Sequence, residues 1–231
     1  MIRTKGRRRL ACHHEAGHAL VRWFFGHRTD RAVVLTVEEV LAGVKVENRK
    51  GIAVECEGVV EGYDICGYPF GPIQLAGGGA EEAKFNRHRA IARDIELINC
   101  YAGFYAEALY SRVPAGEAMF AGGLADMNHA RIVLDAWPLS AEERRVVELN
   151  ADARAKALVR SPKGRAAIKA IADVLMDRGE IDGDEIAGLC RVAYDGLECA
   201  FGAWSNHWPP TLTRIRSGHI PEPPSASRAV A

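Results

Sequence analysis

The sequence predicts an α+β protein that is mainly α-helical, with a small antiparallel β-sheet near its start and a C-terminal helical bundle. Apolar residues recur at steps of three and four through much of the second half of the chain, which is typical of amphipathic helices. Short segments rich in Val and Ile, separated by turn residues, follow the first helical segment. Hydrophobic residues make up 48% and charged residues 26% of the 231 residues, as in globular chains that bury a core.

The first part of the chain is predicted to contain one helix, a sheet and a loop. The helix spans 8–25, because this segment has no Pro and is followed by a Gly. The segments 32–37, 43–47 and 51–57 are predicted as strands of an antiparallel meander. The segment 63–79 has repeated Gly and two Pro, so we predict a loop, and loops of this length are uncommon unless they are functional.

The second part of the chain is predicted to be helical. A stripe of apolar residues at steps of four and three starts a long helix at Ala90, and Gly103 within it indicates close packing against a neighbour. Another helix is expected from Asp126 to Trp137, after the Gly122-Gly123 turn. Three later helices are predicted from start signals, which are Ser140 with Glu143, Ser161 with Pro162, and Asp182 with Glu185.

We expect one domain over residues 1–203, with the first helix and the sheet in 8–80 and the helical part in 88–203. Residues 204–231 are rich in Pro, Ser and Arg, which predicts a flexible tail. No internal repeat divides the chain.

Charge and cysteine usage narrow the class of protein. Thirty Lys and Arg balance thirty Asp and Glu, which argues against a nucleic-acid partner. The basic start is followed by His and Glu rather than by an apolar run, so we expect neither a signal peptide nor a membrane segment. The six cysteines form no C-x-x-C pair and lie mostly among apolar neighbours, as reduced core thiols do. We therefore expect a cytoplasmic protein.

The strongest chemical signal is the H-E-x-x-H motif that His14, Glu15 and His18 form on the first predicted helix. Four residues place the two imidazoles on one face, about one turn apart, where both can bind one metal ion. Glu15 is displaced around the helix, so its carboxylate can face a water on the metal rather than the metal. Zinc lowers the pKa of such a water toward about 7, and a carboxylate can then accept its proton. The motif predicts Zn²⁺ as the cofactor and Glu15 as the general base.

A catalytic zinc ion needs a third protein ligand, and the residues leave two candidates. Asp126 has the stronger case, because glycines before a helix start can bring a short carboxylate close to another helix. Its alternative role is that of an N-cap. Glu107 is the other candidate, or a group that orients a ligand imidazole from outside. His129 lies one turn after Asp126 and is expected to orient it, to line the cleft, or to lie on the surface.

Four segments carry a resemblance to a known family. Residues 11–21, ACHHEAGHALV, are similar to the motif helix of the FtsH-type zinc metallopeptidases. Residues 102–107, AGFYAE, and 122–130, GGLADMNHA, resemble two later segments of that family, and the closing L-x-G-x-E-I helix resembles 181–186. The resemblance covers about residues 8–195. It implies a zincin-like fold, Asp126 as the third zinc ligand, and peptide-bond hydrolysis.

The chain departs from this family in ways that limit what the resemblance implies. Its 231 residues contain no Walker A sequence, so we expect a stand-alone peptidase that does not depend on ATP, with a separate ATPase as a possible partner. The substrate is expected to be a protein or peptide, held by strand addition to an edge strand at 32–37 or 51–57. Two alternatives stay open: a catalytically silent interaction module, and a zinc hydrolase that acts on a small molecule.

Overall fold

The computed structural model describes residues 2–48, 51–54, 56–67, 69–75, 78–197 and 208–218. Most of these residues are helical and the strands are short and antiparallel, which confirms the predicted α+β class. In chain order the elements are α1 (Ile2–Phe24), β1 (Thr29–Val34), α2 (Val37–Leu41), β2 (Val46–Glu47), β3 (Ala53–Val54), β4 (Gly58–Gly62), α3 (Gly79–Ser111), α4 (Ala115–Ala121), α5 (Leu124–Asp135), α6 (Ala141–Arg160), α7 (Pro162–Arg178), β5 (Glu180–Asp182), α8 (Gly183–Ala193) and α9 (Leu212–Arg216).

Helices α1 and α3 form the centre of the fold and pack directly against each other. A Cβ at Gly17 of α1 would lie only 2.7 Å from the carbonyl oxygen of Ala102 in α3, so the glycine permits this close approach. Helix α7 covers another side of α1, and α6 packs on α3. The fully buried side chains of Leu20, Ile98 and Leu158 come from three of these helices and belong to one core. Among the described residues, no helix is long and apolar enough to cross a membrane.

The sheet lies beside this helical core and has the strand order β4-β1-β5, with both pairings antiparallel. The prediction of 32–37 as an edge strand is wrong, because β1 pairs with a strand on each side. Its partner β5 lies between α7 and α8, far along the chain, and no local pattern around β1 indicates it. The other predicted edge, within 51–57, forms a separate hairpin of β2 and β3. Within the described residues, β4 is therefore the edge strand next to α1.

Several predicted boundaries differ from those in the structure. The strand predicted over 32–37 ends early, because Thr36 and Glu39 form a capping box that starts α2. Helix α3 begins at Gly79 rather than at Ala90. The prediction began late because the first turns of α3 are polar and lack the apolar stripe. Helix α4 and strand β4 were not predicted. The described residues of 63–79 before α3 contain neither helix nor strand, as predicted.

The predicted start signals of the last helices are confirmed. Ser140 and Glu143 form both bonds of a capping box at the start of α6. Ser161 caps α7, with Pro162 as its first residue, and Asp182 caps α8 through the amide of Glu185. These short-range bonds depend only on neighbouring residues, so the sequence alone could predict them.

Residues 208–218 pack on the helices, although the sequence places them in a flexible tail. The Trp208 ring lies 5.6 Å from the ring of Phe25, measured between centroids. Ile215 of α9 is fully buried, and α9 packs on α6. The prediction of a tail is therefore wrong for residues 208–218, because apolar side chains of this segment cover the core. Residues 204–207 and 219–231 lie outside the described residues.

Ser161 provides a test of buried capping. Its Oγ accepts a bond from the Gly164 amide at 2.9 Å and donates one to the Leu158 carbonyl at 2.8 Å, and the residue is 2% exposed. We expect Ser161→Ala to lower the free energy of unfolding by about 1–2 kcal/mol, since water cannot replace these partners. Urea denaturation measures the change. Ser140→Ala is the matched control at an exposed cap, and an equal or larger loss there would contradict the importance of burial.

Candidate metal centre

Two histidines on α1 direct their imidazoles toward α3. His14 and His18 are 8% and 7% exposed, and their ring centroids lie 4.8 Å apart. A Cβ at Gly103 would lie 2.5 Å from His14 Nε2 and 2.6 Å from His18 Nε2. Gly103 therefore provides the space that the two rings occupy, which confirms the packing role expected for this glycine.

Asp126 brings a carboxylate to both imidazoles from the first turn of α5. Its Oδ2 lies 2.9 Å from His14 Nε2 and 3.5 Å from His18 Nε2. The N-cap of α5 is Gly123, so the alternative role of Asp126 as an N-cap is wrong. A negative charge in the first turn is also favoured by the helix dipole.

The other nitrogen of each imidazole faces an acceptor. His18 Nδ1 lies 2.9 Å from the carbonyl oxygen of Asn99, and a carbonyl can only accept, so this nitrogen carries the proton. His14 Nδ1 lies 3.5 Å from Glu107 Oε2. A Cβ at Gly122 would lie 2.5 Å from the same carboxylate oxygen, so this glycine makes room for Glu107. Partners of this kind direct the Nε2 lone pairs inward and fix the ring orientations.

Glu15 lies beside the histidines in a buried position. It is 8% exposed, and a Cβ at Gly58 of β4 would lie 2.9 Å from its Oε1. Burial raises the pKa of Glu15, and the neighbouring His14 and His18 oppose this shift without cancelling it. The carboxylate therefore has a higher proton affinity than an exposed one and sits against the edge strand of the sheet.

The three inward atoms fit a divalent cation. His14 Nε2, His18 Nε2 and an Asp126 oxygen lie within 4.8 Å of one another. A tetrahedral zinc ion with bonds of about 2.0–2.1 Å places its ligand atoms about 3.3 Å apart, and the two distances to Asp126 lie on either side of that value. Two imidazoles and one carboxylate are a donor set that zinc accepts in catalytic sites.

The electrostatics of the cluster also favour a cation. Burial lowers the pKa of His14, but the adjacent carboxylates of Asp126 and Glu107 outweigh burial and raise the value to about 10. Burial raises the pKa of Asp126, yet His18 and His14 hold it well below its usual range. The carboxylates thus stabilise positive charge between the two imidazoles, and a proton or a metal ion can supply that charge.

His129 does not take part in this centre. Its Nε2 bonds to Glu96 Oε1 at 2.8 Å, and its ring packs edge-on against Phe70. It therefore does not orient Asp126, although it lies one turn further along the same helix.

Sequence reasoning missed two contributors to the site. The Asn99 carbonyl is a backbone group without a motif, but Asn99 lies four residues before Gly103, on the same face of α3. Gly58 belongs to a strand that was not predicted, and no local signal connects it with Glu15.

Comparisons with models of protein families and with curated proteins find no match for this chain.

Gly103→Ala tests the space for the two imidazoles. The added methyl group would overlap both Nε2 positions, so we expect a loss of metal affinity of at least tenfold. Chelator competition measures the affinity, and circular dichroism checks that the helices persist. Gly188→Ala in α8 is the matched control, because a Cβ there meets nothing within 4 Å. Unchanged zinc affinity in Gly103→Ala would contradict this geometry.

A second prediction tests whether Asp126 or Glu107 is the third metal ligand. Asp126→Ala removes the oxygen next to both Nε2 atoms, so we expect more than a 100-fold loss of zinc affinity. Glu107→Gln keeps an acceptor near His14 Nδ1 and should cost about 10–100-fold at most. The same competition assay ranks the two variants, and the reverse order would assign the third ligand to Glu107.

Proposed function

We propose that the chain is a zinc metallopeptidase in which His14, His18 and Asp126 hold Zn²⁺ and Glu15 is the general base. The observation that carries this proposal is the convergence of both Nε2 atoms with Asp126 Oδ2, next to a buried carboxylate on the same helix. The resemblance of the four sequence segments to FtsH-type peptidases supports the same assignment.

Each residue has a separate role in this proposal. When bound, zinc supplies Lewis-acid activation of water and of a carbonyl group. Glu15 takes up the proton that attack on a peptide carbonyl releases, and its raised pKa brings its proton affinity closer to the working pH. Glu107 and the Asn99 carbonyl hold the two imidazoles in place, so the ligand atoms need little rearrangement. The Asp126 side chain is 24% exposed, which leaves this side of the cluster open to solvent.

The sheet suggests how a peptide is held. Strand β4 pairs with β1 along one edge, and Gly58 at its start adjoins Glu15. An extended peptide that adds to the other edge of β4 runs beside the general base, with its backbone groups bonded to the strand. This mode selects extended segments, so we infer that flexible peptides and unfolded proteins are substrates. ATP is not required for such binding.

Glu15→Gln tests the proposed mechanism. The amide is nearly isosteric but cannot accept the proton, so we expect unchanged zinc content and a 10²–10⁴-fold lower rate of peptide hydrolysis. The assay uses a fluorogenic peptide library without ATP, together with elemental analysis of each protein. Glu185→Gln, at a remote ion pair of α8, is the control and should keep the full rate.

The outcomes separate the alternatives. Cleavage by Glu15→Gln at the wild-type rate would overturn the role of Glu15. Zinc-loaded wild-type protein that cleaves no flexible peptide would favour a silent interaction module. Hydrolysis of small amides or esters, without peptide cleavage, would indicate a small-molecule hydrolase.

A further inference from the structure

A second group of metal-ligating side chains lies between α3 and α5. Glu96 and Cys100 are four residues apart and share a face of α3, and His129 reaches them from α5. One ligand atom from each residue lies within 4.8 Å of the other two. The closest pair is His129 Nε2 and Glu96 Oε1, at 2.8 Å.

We propose that Glu96, Cys100 and His129 form a second site for a divalent transition-metal ion such as Zn²⁺. Thiolate, imidazole and carboxylate are the three side-chain donors that zinc binds, whereas Ca²⁺ and Mg²⁺ take oxygen donors. Zinc places a thiolate sulfur and an imidazole nitrogen about 3.5 Å apart, so small side-chain rotations complete the site. The donors differ from those of the first centre, which contains no sulfur.

The contacts of Glu96 and Cys100 leave their ligand atoms available to a metal ion. Within the described part of the chain, the Glu96 carboxylate bonds to no side chain other than His129, and the nearby Arg22 guanidinium donates to the carbonyls of Arg28 and Tyr63. The Cys100 thiol is 2% exposed and makes no side-chain hydrogen bond among the described residues. Its sulfur therefore adjoins the Glu96–His129 pair, and a backbone group of Cys100 itself is its polar partner.

The site also has an entry path. The His129 side chain is 40% exposed and the Glu96 side chain 13%, whereas Cys100 lies beneath them. An ion can reach His129 and Glu96 from solvent and then bind the buried sulfur.

Burial, with added repulsion from Glu96 and Asp126, raises the pKa of the Cys100 thiol well above its usual value. An ion that binds there therefore displaces the thiol proton.

Cobalt substitution tests this proposal, because Co²⁺ bound to a thiolate gives an intense charge-transfer band that nitrogen and oxygen ligands do not give. We expect wild-type protein titrated with Co²⁺ to show this band. Cys100→Ser should lose it. Cys190→Ser, which removes another fully buried thiol on α8, is the matched control and should keep it. His18→Ala should also keep the band, since it affects only the first centre.

His129→Ala serves as the second variant, because its side chain is partly exposed and Cys100→Ser could fail to fold. We expect it to weaken Co²⁺ binding, measured from the same band, at least tenfold. The absence of the band in wild-type protein would overturn the proposal, as would a band that survives Cys100→Ser or vanishes in His18→Ala. These outcomes do not depend on peptidase activity, so failure here is distinguishable from failure of the proposed function.

Discussion

The close approach of α1 to α3 is the constraint on which the candidate site depends. Gly17 allows the two backbones to approach, since a Cβ there would lie 2.7 Å from the Ala102 carbonyl. The next residue of α3, Gly103, leaves the remaining space to His14 and His18. Larger residues at either glycine would separate the helices or displace the rings. The packing of these two helix faces therefore sets the positions of the two imidazoles.

This packing also buries an unusual amount of charge on one helix. His14, Glu15, His18 and Arg22 of α1 are all below 10% exposed. Buried ionisable groups cost several kcal/mol each unless they are paired. The fold offsets this cost with partners from elsewhere, among them Asp126, Glu107 and the Asn99 carbonyl for the two histidines. A cation at the Nε2 atoms would offset the negative charge of the carboxylates, because two of them approach the same imidazole, that of His14.

The features that the sequence predicted are those that depend on residues close together along the chain. The H-E-x-x-H spacing and the capping box at Ser140 depend on residues within one or two helical turns, and the sequence predicted them. A glycine within the apolar stripe of α3 also indicated close packing at Gly103, although the atoms that it meets belong to α1. The pairing of β1 with β5 depends on how α7 packs, so 32–37 was misread as an edge strand. The packing of Trp208 on Phe25 was missed for the same reason. Spacing also could not show that His129 meets Glu96 rather than Asp126, since only the relative rotation of α3 and α5 decides that.

Helix α5 carries one residue of each cluster, Asp126 beside His14 and His18, and His129 beside Glu96 and Cys100. Asp126 and His129 lie about one turn apart on it; Asp126 contacts His14 of α1, whereas His129 contacts Glu96 of α3. An ion bound by Glu96, Cys100 and His129 would join α5 to α3 and so restrict the movement of α5, which carries Asp126. The second cluster thus lies where a bound ion would stabilise the first centre without touching it.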